Sequence, residues 1–442
     1  MNAMMLVGQY NARMTAITPA EIRFENGVPF APVFDDVFHS VDGGVDQSTS
    51  VFLGGNGLPE RWQNQPSFQI LETGFGIGLN FLVTWNAWRN TVDATASRLH
   101  FISFEKHPLT RTDLAQVLRP HVSLSHLSSA LLDAWPPLVA GVHQLEFEQG
   151  HVILTLVLGD IQNTLPQFAM AADAVFLDGF SPEKNHEMWN DRVIRHIARQ
   201  SLYRGTLATW CVAGAVRRLL ELHGYTVQRR PGFGRKRERL EARFDRIPVH
   251  AFERMVTPTR NPVLARVLHT HSKQRSAMIV GAGVAGCLMA ERLSRRGWHV
   301  DLFDRQAGPA QETSGNPAGV IRPVLSLDDN LASRLGRAAF FQTLRTLHRL
   351  QGQGRQIRHK QCGVLVLAVD EAQALLQRSI IAHQHYLSDY VEFLEPAAAG
   401  KLSGTKVHWG GWYFPQGGWV DPVSLCNAAL AAGGDRIRTH WN

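Results

Sequence analysis

Two glycine-rich turns of different kinds sit in one polypeptide, and each reads as a strand turning tightly into a helix. The first, Glu72-Thr73-Gly74-Phe75-Gly76-Ile77-Gly78, follows the apolar run Phe68-Gln69-Ile70-Leu71. The second, Gly281-Ala282-Gly283-Val284-Ala285-Gly286, follows Ala277-Met278-Ile279-Val280. Glycine lets a backbone approach a ligand closely, and a helix N-terminus favours an anionic or polar group. The acidic residue leading the first turn points to S-adenosylmethionine. The G-x-G-x-x-G spacing of the second points to a dinucleotide.

The 442 residues predict two domains, or three at most. Residues 1–50 carry turn formers and little periodicity, which predicts a β-rich or irregular entry segment. From about 66 to 245, apolar strands alternate with helix-like stretches. The strand candidates are Phe68–Leu71, Leu99–Phe104, Val152–Leu158, Ala174–Leu177 and Thr206–Trp210. The alternation predicts an α/β fold with a parallel sheet and helices on both faces. Residues 246–275 contain Pro248, Pro258 and Pro262 and lose this rhythm, so they are assigned as a linker between a domain at 1–245 and a second at 276–442. A strand, a helix through Arg296 and a further strand over His299–Phe303 open the second domain.

No apolar run is long enough to span a bilayer, and Met1 to Ala20 lacks a signal-peptide pattern, so a cytoplasmic protein is expected. Cys211, Cys287, Cys362 and Cys426 are far apart and read as buried reduced thiols, with no metal site expected. The net charge of +7 favours a polyanionic partner only weakly.

Polar residues stand at the ends of successive strands in the first domain, where open α/β sheets bind ligands. Glu105 lies 27 residues beyond Gly78, where a carboxylate can accept both ribose hydroxyls. Asp160 is placed to meet an adenine amino group, although Gly-Asp is also common turn chemistry. Asp178, in Leu177-Asp178-Gly179-Phe180-Ser181-Pro182, is the candidate for chemistry. Methyl transfer from a sulfonium is an in-line displacement, and an amine acceptor must lose its proton to attack; a carboxylate can take that proton or orient the lone pair. The plainer alternative makes Asp178 a turn cap. Cofactor contacts are expected from Glu72, Gly74, Gly76, Gly78, Glu105 and Asp160.

In the second domain Gly281, Gly283 and Gly286 open a helix, and the next strand ends in Asp304, 18 residues beyond Gly286. That is a dinucleotide fingerprint complete with its acidic ribose ligand. FAD and NAD both fit it; the small-residue segment Thr313-Ser314-Gly315-Asn316-Pro317-Ala318-Gly319 favours FAD. Residues 229–243 hold seven Arg and Lys against Glu238 and Glu241, with Phe233 among them. Such a run either holds phosphates and stacks a base or forms a solvated hairpin. Arg235, Lys236 and Arg237 are the candidate nucleic-acid contacts. His186 has no neighbours at metal-ligand spacing.

These segments resemble the family of bifunctional tRNA 5-methylaminomethyl-2-thiouridine biosynthesis proteins, MnmC, over nearly the whole chain. The resemblance is carried by Phe34-Asp35-Asp36-Val37-Phe38, Phe52-Leu53-Gly54-Gly55-Asn56-Gly57-Leu58, the first glycine turn with Leu79-Asn80-Phe81, and Phe176 through Asn185 with Met188-Trp189. Gly232 through Glu238, the dinucleotide fingerprint, Ser314 through Gly319, and Tyr413 through Val420 complete it. It implies an N-terminal Rossmann-like class I methyltransferase domain followed by an incomplete FAD-binding domain similar to glycine and D-amino-acid oxidases. The implied reactions act on the wobble uridine of tRNA. The FAD-dependent domain converts a carboxymethylaminomethyl group to an aminomethyl group, and the methyltransferase domain methylates that amine, with Asp178 on the family's acidic position beside it. Full members continue well beyond the counterpart of Asn442, so only the N-terminal part of the FAD domain is expected here, with FAD bound poorly or not at all and the oxidation step lost. Two other readings fit the residues: a flavin amine oxidase fused to an amino-acid N-methyltransferase, and a tRNA-binding protein without catalysis.

Overall fold

The computed structural model describes residues 17–25, 27–40, 42–92, 97–234, 236–246 and 275–442. The chain forms two compact units that divide within the segment 247–274. That segment, and with it nearly all of the expected linker, lies outside the described residues.

In the first unit a small antiparallel sheet, β1 (Arg23–Glu25), β2 (Val28–Ala31) and β3 (Asp36–Val37), precedes the main sheet. The eight main strands are β4 (Ser67–Glu72), β5 (Arg98–Glu105), β6 (Gly141–Phe147), β7 (Val152–Leu158), β8 (Ala172–Phe176), β9 (Ser201–Thr209), β10 (Tyr225–Pro231) and β11 (Glu238–Phe244). Their spatial order is β10-β11-β9-β8-β4-β5-β7-β6. The five central strands are parallel, as the alternation predicts. The outer ones are not: β6 pairs antiparallel with β7, and the β10–β11 hairpin adds antiparallel to β9. Alternation of strands and helices gives no warning of β6, because its connection to β7 is too short for a crossover helix.

The central strands are apolar on both faces, as a sheet covered by helices requires; β7, Val-Ile-Leu-Thr-Leu-Val-Leu, is buried at every position except Thr155. One core layer packs Trp62, Phe81, Trp85, Trp88 and Phe101 against one face, and a second packs Val193, Ile194, Ile197 and Leu220 against the other. The helix Leu79–Thr91 starts from Gly78, whose φ of 73° suits glycine and whose hydrogen faces the Phe75 ring; a Cβ there would come 2.7 Å from it.

The second unit opens with β12 (Arg275–Val280), the helix Val284–Arg295 and β13 (Trp298–Asp304). Its remaining strands are β14 (Gly319–Ile321), β15 (His359–Lys360), β16 (Val364–Leu367), β17 (Glu392–Leu394), β18 (Gly411–Phe414), β19 (Gly418–Val420) and β20 (Ile437–Trp441). β12, β13 and β20 form a parallel sheet, while β14-β19-β15 and β16-β18-β17 are antiparallel. The helix Val284–Arg295 packs on Pro422–Gly433, with Cys287 and Cys426 buried between them. Cys211 is buried too, but Cys362 is exposed, contrary to expectation: it lies in the turn just before β16 rather than on a packed face. No helix among the described residues is long and apolar enough to cross a membrane.

Candidate active site and dinucleotide turn

Strand order reverses between β4 and β8, and a crevice opens beyond the carboxyl ends of strands at such a reversal. The Thr73 hydroxyl staples the two strand ends there. It donates to the Asp178 carbonyl at 2.5 Å and accepts from the Asp178 N–H at 3.0 Å. The crevice widens into a cavity of about 900 Å³, near the upper end for a small-molecule site. Gly74, Gly76, Glu105, Asp160, Asp178 and Lys236 all line it, so five strand-end candidates and one basic candidate meet in a single space. Gly78 instead caps the helix beneath the turn.

Glu105 binds the glycine turn to its own strand end. Its Oε2 accepts from the Gly76 N–H and its Oε1 from the His107 N–H, both at 2.8 Å. Burial pushes its carboxyl above the ordinary value, against the pull of these bonds. Each oxygen keeps a lone pair, which suits it to a ribose diol. Asp160 takes the turn-capping role weighed for it, and its second oxygen faces a lysine. Oδ1 caps the short helix at Ile161 by accepting from Gln162 N–H at 2.9 Å, while Oδ2 lies 3.2 Å from the Lys106 ammonium on the cavity wall.

Glu72 departs from expectation. It is fully buried beneath the cavity, and its Oε2 accepts from the Ser103 hydroxyl at 2.6 Å while Oε1 has no partner. Burial first, and then the nearby charge of Asp178, hold its carboxyl well above the usual range against the Ser103 bond, and Glu72 supports the glycine turn from below.

Asp178 is held by three donors. Oδ1 accepts from the Gly179 N–H at 2.8 Å and the Trp210 indole N–H at 2.9 Å, and Oδ2 accepts from the Asn80 amide at 2.8 Å. The Asn80 amide is in turn oriented by Ser48, whose hydroxyl donates to Asn80 Oδ1 at 2.7 Å. Oδ2 therefore keeps a free lone pair toward the cavity. Burial raises the Asp178 carboxyl from its ordinary value despite these donors and the nearby Lys236. Such a carboxylate is a better proton acceptor than a solvated one.

Asn80, Trp210, Thr73 and Ser48 were not singled out by sequence. Asn80 had a signal, as a polar residue in the otherwise apolar start of Leu79-Asn80-Phe81-Leu82-Val83. Trp210 had one too, at the end of a strand candidate. Ser48 had none, because it reaches the site only through folding. The Phe180 loop docks on the entry segment: Phe34 stacks on Phe180 at 4.5 Å, Ser181 N–H donates to Asp36 Oδ2 at 3.1 Å, and Lys184 pairs with Asp35 at 3.0 Å. That docking ties together two separate segments of the sequence.

The basic run is largely paired with acids. Arg229 meets Glu238, Arg230 and Arg239 meet Glu241, and Arg243 meets Asp245. Arg237 is exposed, and Arg235 lies outside the described residues. Lys236 turns into the cavity, its Nζ 3.3 Å from the centroid of Trp210. Among the described residues no cluster could hold a metal ion.

The second unit repeats the device of the first. Asp304 Oδ2 accepts from the Ala282 N–H at 2.6 Å and Oδ1 from the Gln306 N–H at 2.9 Å, bonds that hold its carboxyl below the ordinary range. Gly283 precedes the helix, and the Ser314 hydroxyl accepts from the Val284 N–H at 3.2 Å. Gly281 takes a φ of 102° with open space beside it, and a Cβ at Gly286 would run into the Gly281 carbonyl. All four fingerprint residues are thus placed for close approach of a dinucleotide backbone.

A doubly wound sheet with its polar strand ends gathered in one cavity defines a class I methyltransferase fold, and the strand-turn-helix at Gly281 defines a dinucleotide-binding fold. A family model for S-adenosyl-L-methionine-dependent methyltransferases matches residues 123–245, and one for FAD-dependent oxidoreductases matches residues 276–440. The chain is 45% identical over 427 residues to the tRNA 5-methylaminomethyl-2-thiouridine biosynthesis bifunctional protein MnmC of Azoarcus sp. (strain BH72), a match covering 96% of this chain and 64% of that protein. It is 44% identical to the protein of the same name from Paraburkholderia xenovorans (strain LB400), with the same coverage. Among solved structures, MNMC2 from Aquifex aeolicus matches with 22% identity and a TM-score of 0.41, over 57% of this chain and 82% of that one. The chain is thus similar to MnmC proteins over 96% of its length, with a methyltransferase domain followed by an FAD-dependent oxidoreductase domain. It spans 64% of the length of these curated relatives.

Proposed function

We propose that this protein modifies the wobble uridine of tRNA, and that the first unit methylates an exocyclic amine there. The observation that carries this reading is Asp178, fixed by Asn80, Trp210 and Gly179 at the inner wall of the cavity with one lone pair of Oδ2 free. S-adenosylmethionine supplies a methyl group already activated on a sulfonium. Glu105 would hold its ribose, the Gly74–Gly76 turn its chain, and Asp160 with Ile161 its adenine. The residues then have two tasks. They aim the amine by accepting its N–H at Asp178 Oδ2, and they take up the proton it must lose.

The second unit fits the ADP half of FAD through Gly281, Gly283, Gly286 and Asp304. When bound there, FAD would supply oxidation by taking a hydride from the C–H bond beside the amine nitrogen of a carboxymethylaminomethyl group; hydrolysis of the resulting imine by water would release glyoxylate and leave the aminomethyl acceptor. The relatives named for biosynthesis of 5-methylaminomethyl-2-thiouridine support this reading, under which the protein acts on tRNA in the cytoplasm.

The test is incorporation of radiolabelled methyl from S-adenosylmethionine into tRNA bearing 5-aminomethyl-2-thiouridine, compared with free amino acids, across a salt series. Preference for the tRNA, weakening as salt rises through counterion release, is expected. Transfer to free amino acids without salt dependence would instead establish a small-molecule N-methyltransferase. Binding of tRNA without transfer would establish a binding protein.

A further inference from the structure

A lone carboxylate beside an amine is a poor methyltransferase site. Opposite charge stabilises the ammonium, and an ammonium has no lone pair with which to attack. The cavity contains a second charge that changes this balance. The Lys236 ammonium lies against the Trp210 face, and the same indole donates its N–H to Asp178. The side chain is directed there by its loop. Between β10 and β11, Gly232 N–H donates to the Arg237 carbonyl at 3.0 Å and Lys236 N–H to the Phe233 carbonyl at 3.1 Å, closing a tight hairpin tip. Phe233, half-buried, packs against the core and anchors the tip.

We propose that Lys236 is a positioning residue for methyl transfer: its ammonium, over the face of Trp210, offsets the attraction of Asp178 for a cation, so the acceptor amine is held neutral. This rests on the reading of the first unit as an amine methyltransferase. The groups facing Lys236 are Asp178 from the end of β8, Asp36 from β3 and Cys211 beyond β9, with Glu183 facing Cys211 in turn. Asp42 packs on the same hairpin at Gly234. Partial desolvation at the cavity mouth draws Lys236 below the ordinary lysine value while Asp178, Asp36 and Cys211 draw it back. Lys236 and Arg237 are both solvent-exposed, but of the two only Lys236 lines the cavity. Its charge serves the cavity, and a phosphate contact is not its role.

The experiment is a pH titration of the acceptor itself. An anticodon stem-loop RNA with a ¹³C-labelled 5-aminomethyl-2-thiouridine is followed by NMR, free and bound to the full chain with S-adenosylhomocysteine. Wild type, Lys236→Met, Lys236→Gln and Lys236→Arg are compared, each first shown by calorimetry to bind S-adenosylhomocysteine. A like charge at a spacing of several ångströms shifts an amine by about 1–2 pH units. The bound amine is expected to titrate below the free one in wild type and Lys236→Arg, and about 1–2 units higher in Lys236→Met and Lys236→Gln. Identical titration in wild type and both neutral variants would overturn the role of Lys236. A label unaffected by wild-type protein would overturn the amine-acceptor reading of the cavity, and this inference with it. A lower salt slope for Lys236→Met with an unmoved titration would return Lys236 to a phosphate contact.

Discussion

The indole N–H of Trp210 donates to Asp178 Oδ1 at 2.9 Å, from the end of one strand to the end of its neighbour. With Asn80 on the other oxygen, it fixes the plane of a carboxylate that burial makes reluctant to ionise. The site thus balances two opposed effects: desolvation, which raises proton affinity, and oriented donors, which keep the carboxylate form available.

That balance makes Trp210→Phe informative. Asp178 works as a carboxylate, and its folded-state proton affinity is already raised, so activity falls as pH drops through the raised value. Loss of the indole donor raises it further. The acid limb of the methylation rate is expected to move upward by about one pH unit, with a 10-fold or smaller loss on the plateau. An acid limb that stays in place would show that the indole bond does not tune Asp178.

Glu105→Ala is expected to weaken S-adenosylmethionine binding at least 10-fold, with a smaller effect on the rate once bound. Charge-assisted hydrogen bonds of this kind are worth about 1.5–3 kcal/mol each. The variant also releases Gly76 N–H and His107 N–H. Calorimetry giving an unchanged affinity would remove Glu105 from the ribose site.

The framework of the site was legible because its residues follow rules of backbone geometry. Glycine turns, strand-end acids and the spacing to Glu105 and Asp304 are local features. Their partners were not legible. Ser48 reaches Asn80 across 32 positions and Asp36 reaches Ser181 across 145, and such contacts follow from packing alone. Glu72 shows the opposite error. Its place in the motif suggested a ligand contact, yet the last residue of β4 points into the sheet layer, where Ser103 meets it. The basic run is a third case, because charge counting does not show that Glu238, Glu241 and Asp245 pair with its arginines or that Lys236 reaches the cavity.

Glu72 itself yields a stability prediction. Its folded-state proton affinity is raised above the unfolded value, so its contribution is fully present below the unfolded value and is lost as pH rises through the folded one. Glu72→Gln keeps the shape and an acceptor for Ser103 without the ionisation. The unfolding midpoint is expected to rise by roughly 2–4 °C at pH 8 and by less at pH 5. A variant less stable at pH 8 than wild type would mean that Glu72 serves as a carboxylate.

Gly286→Ala is expected to disrupt the second unit and leave the first intact. The added Cβ meets the Gly281 carbonyl, and overpacking of this kind costs about 1–3 kcal/mol or more. Scanning calorimetry should show a transition lowered by several degrees, while S-adenosylmethionine affinity stays within twofold of wild type. Unchanged thermal unfolding would show that the turn relaxes freely.

The central claim is that Asp178 handles the proton of an amine acceptor within an otherwise complete cofactor site. The most direct measurement pairs the single-turnover rate of methyl transfer to aminomethyl-tRNA with S-adenosylmethionine affinity in Asp178→Ala. Loss of a positioned base costs about 10²–10⁴ in rate. The rate is therefore expected to fall at least a hundredfold with affinity nearly unchanged, whereas equal losses in rate and affinity would make Asp178 a structural cap and contradict the account.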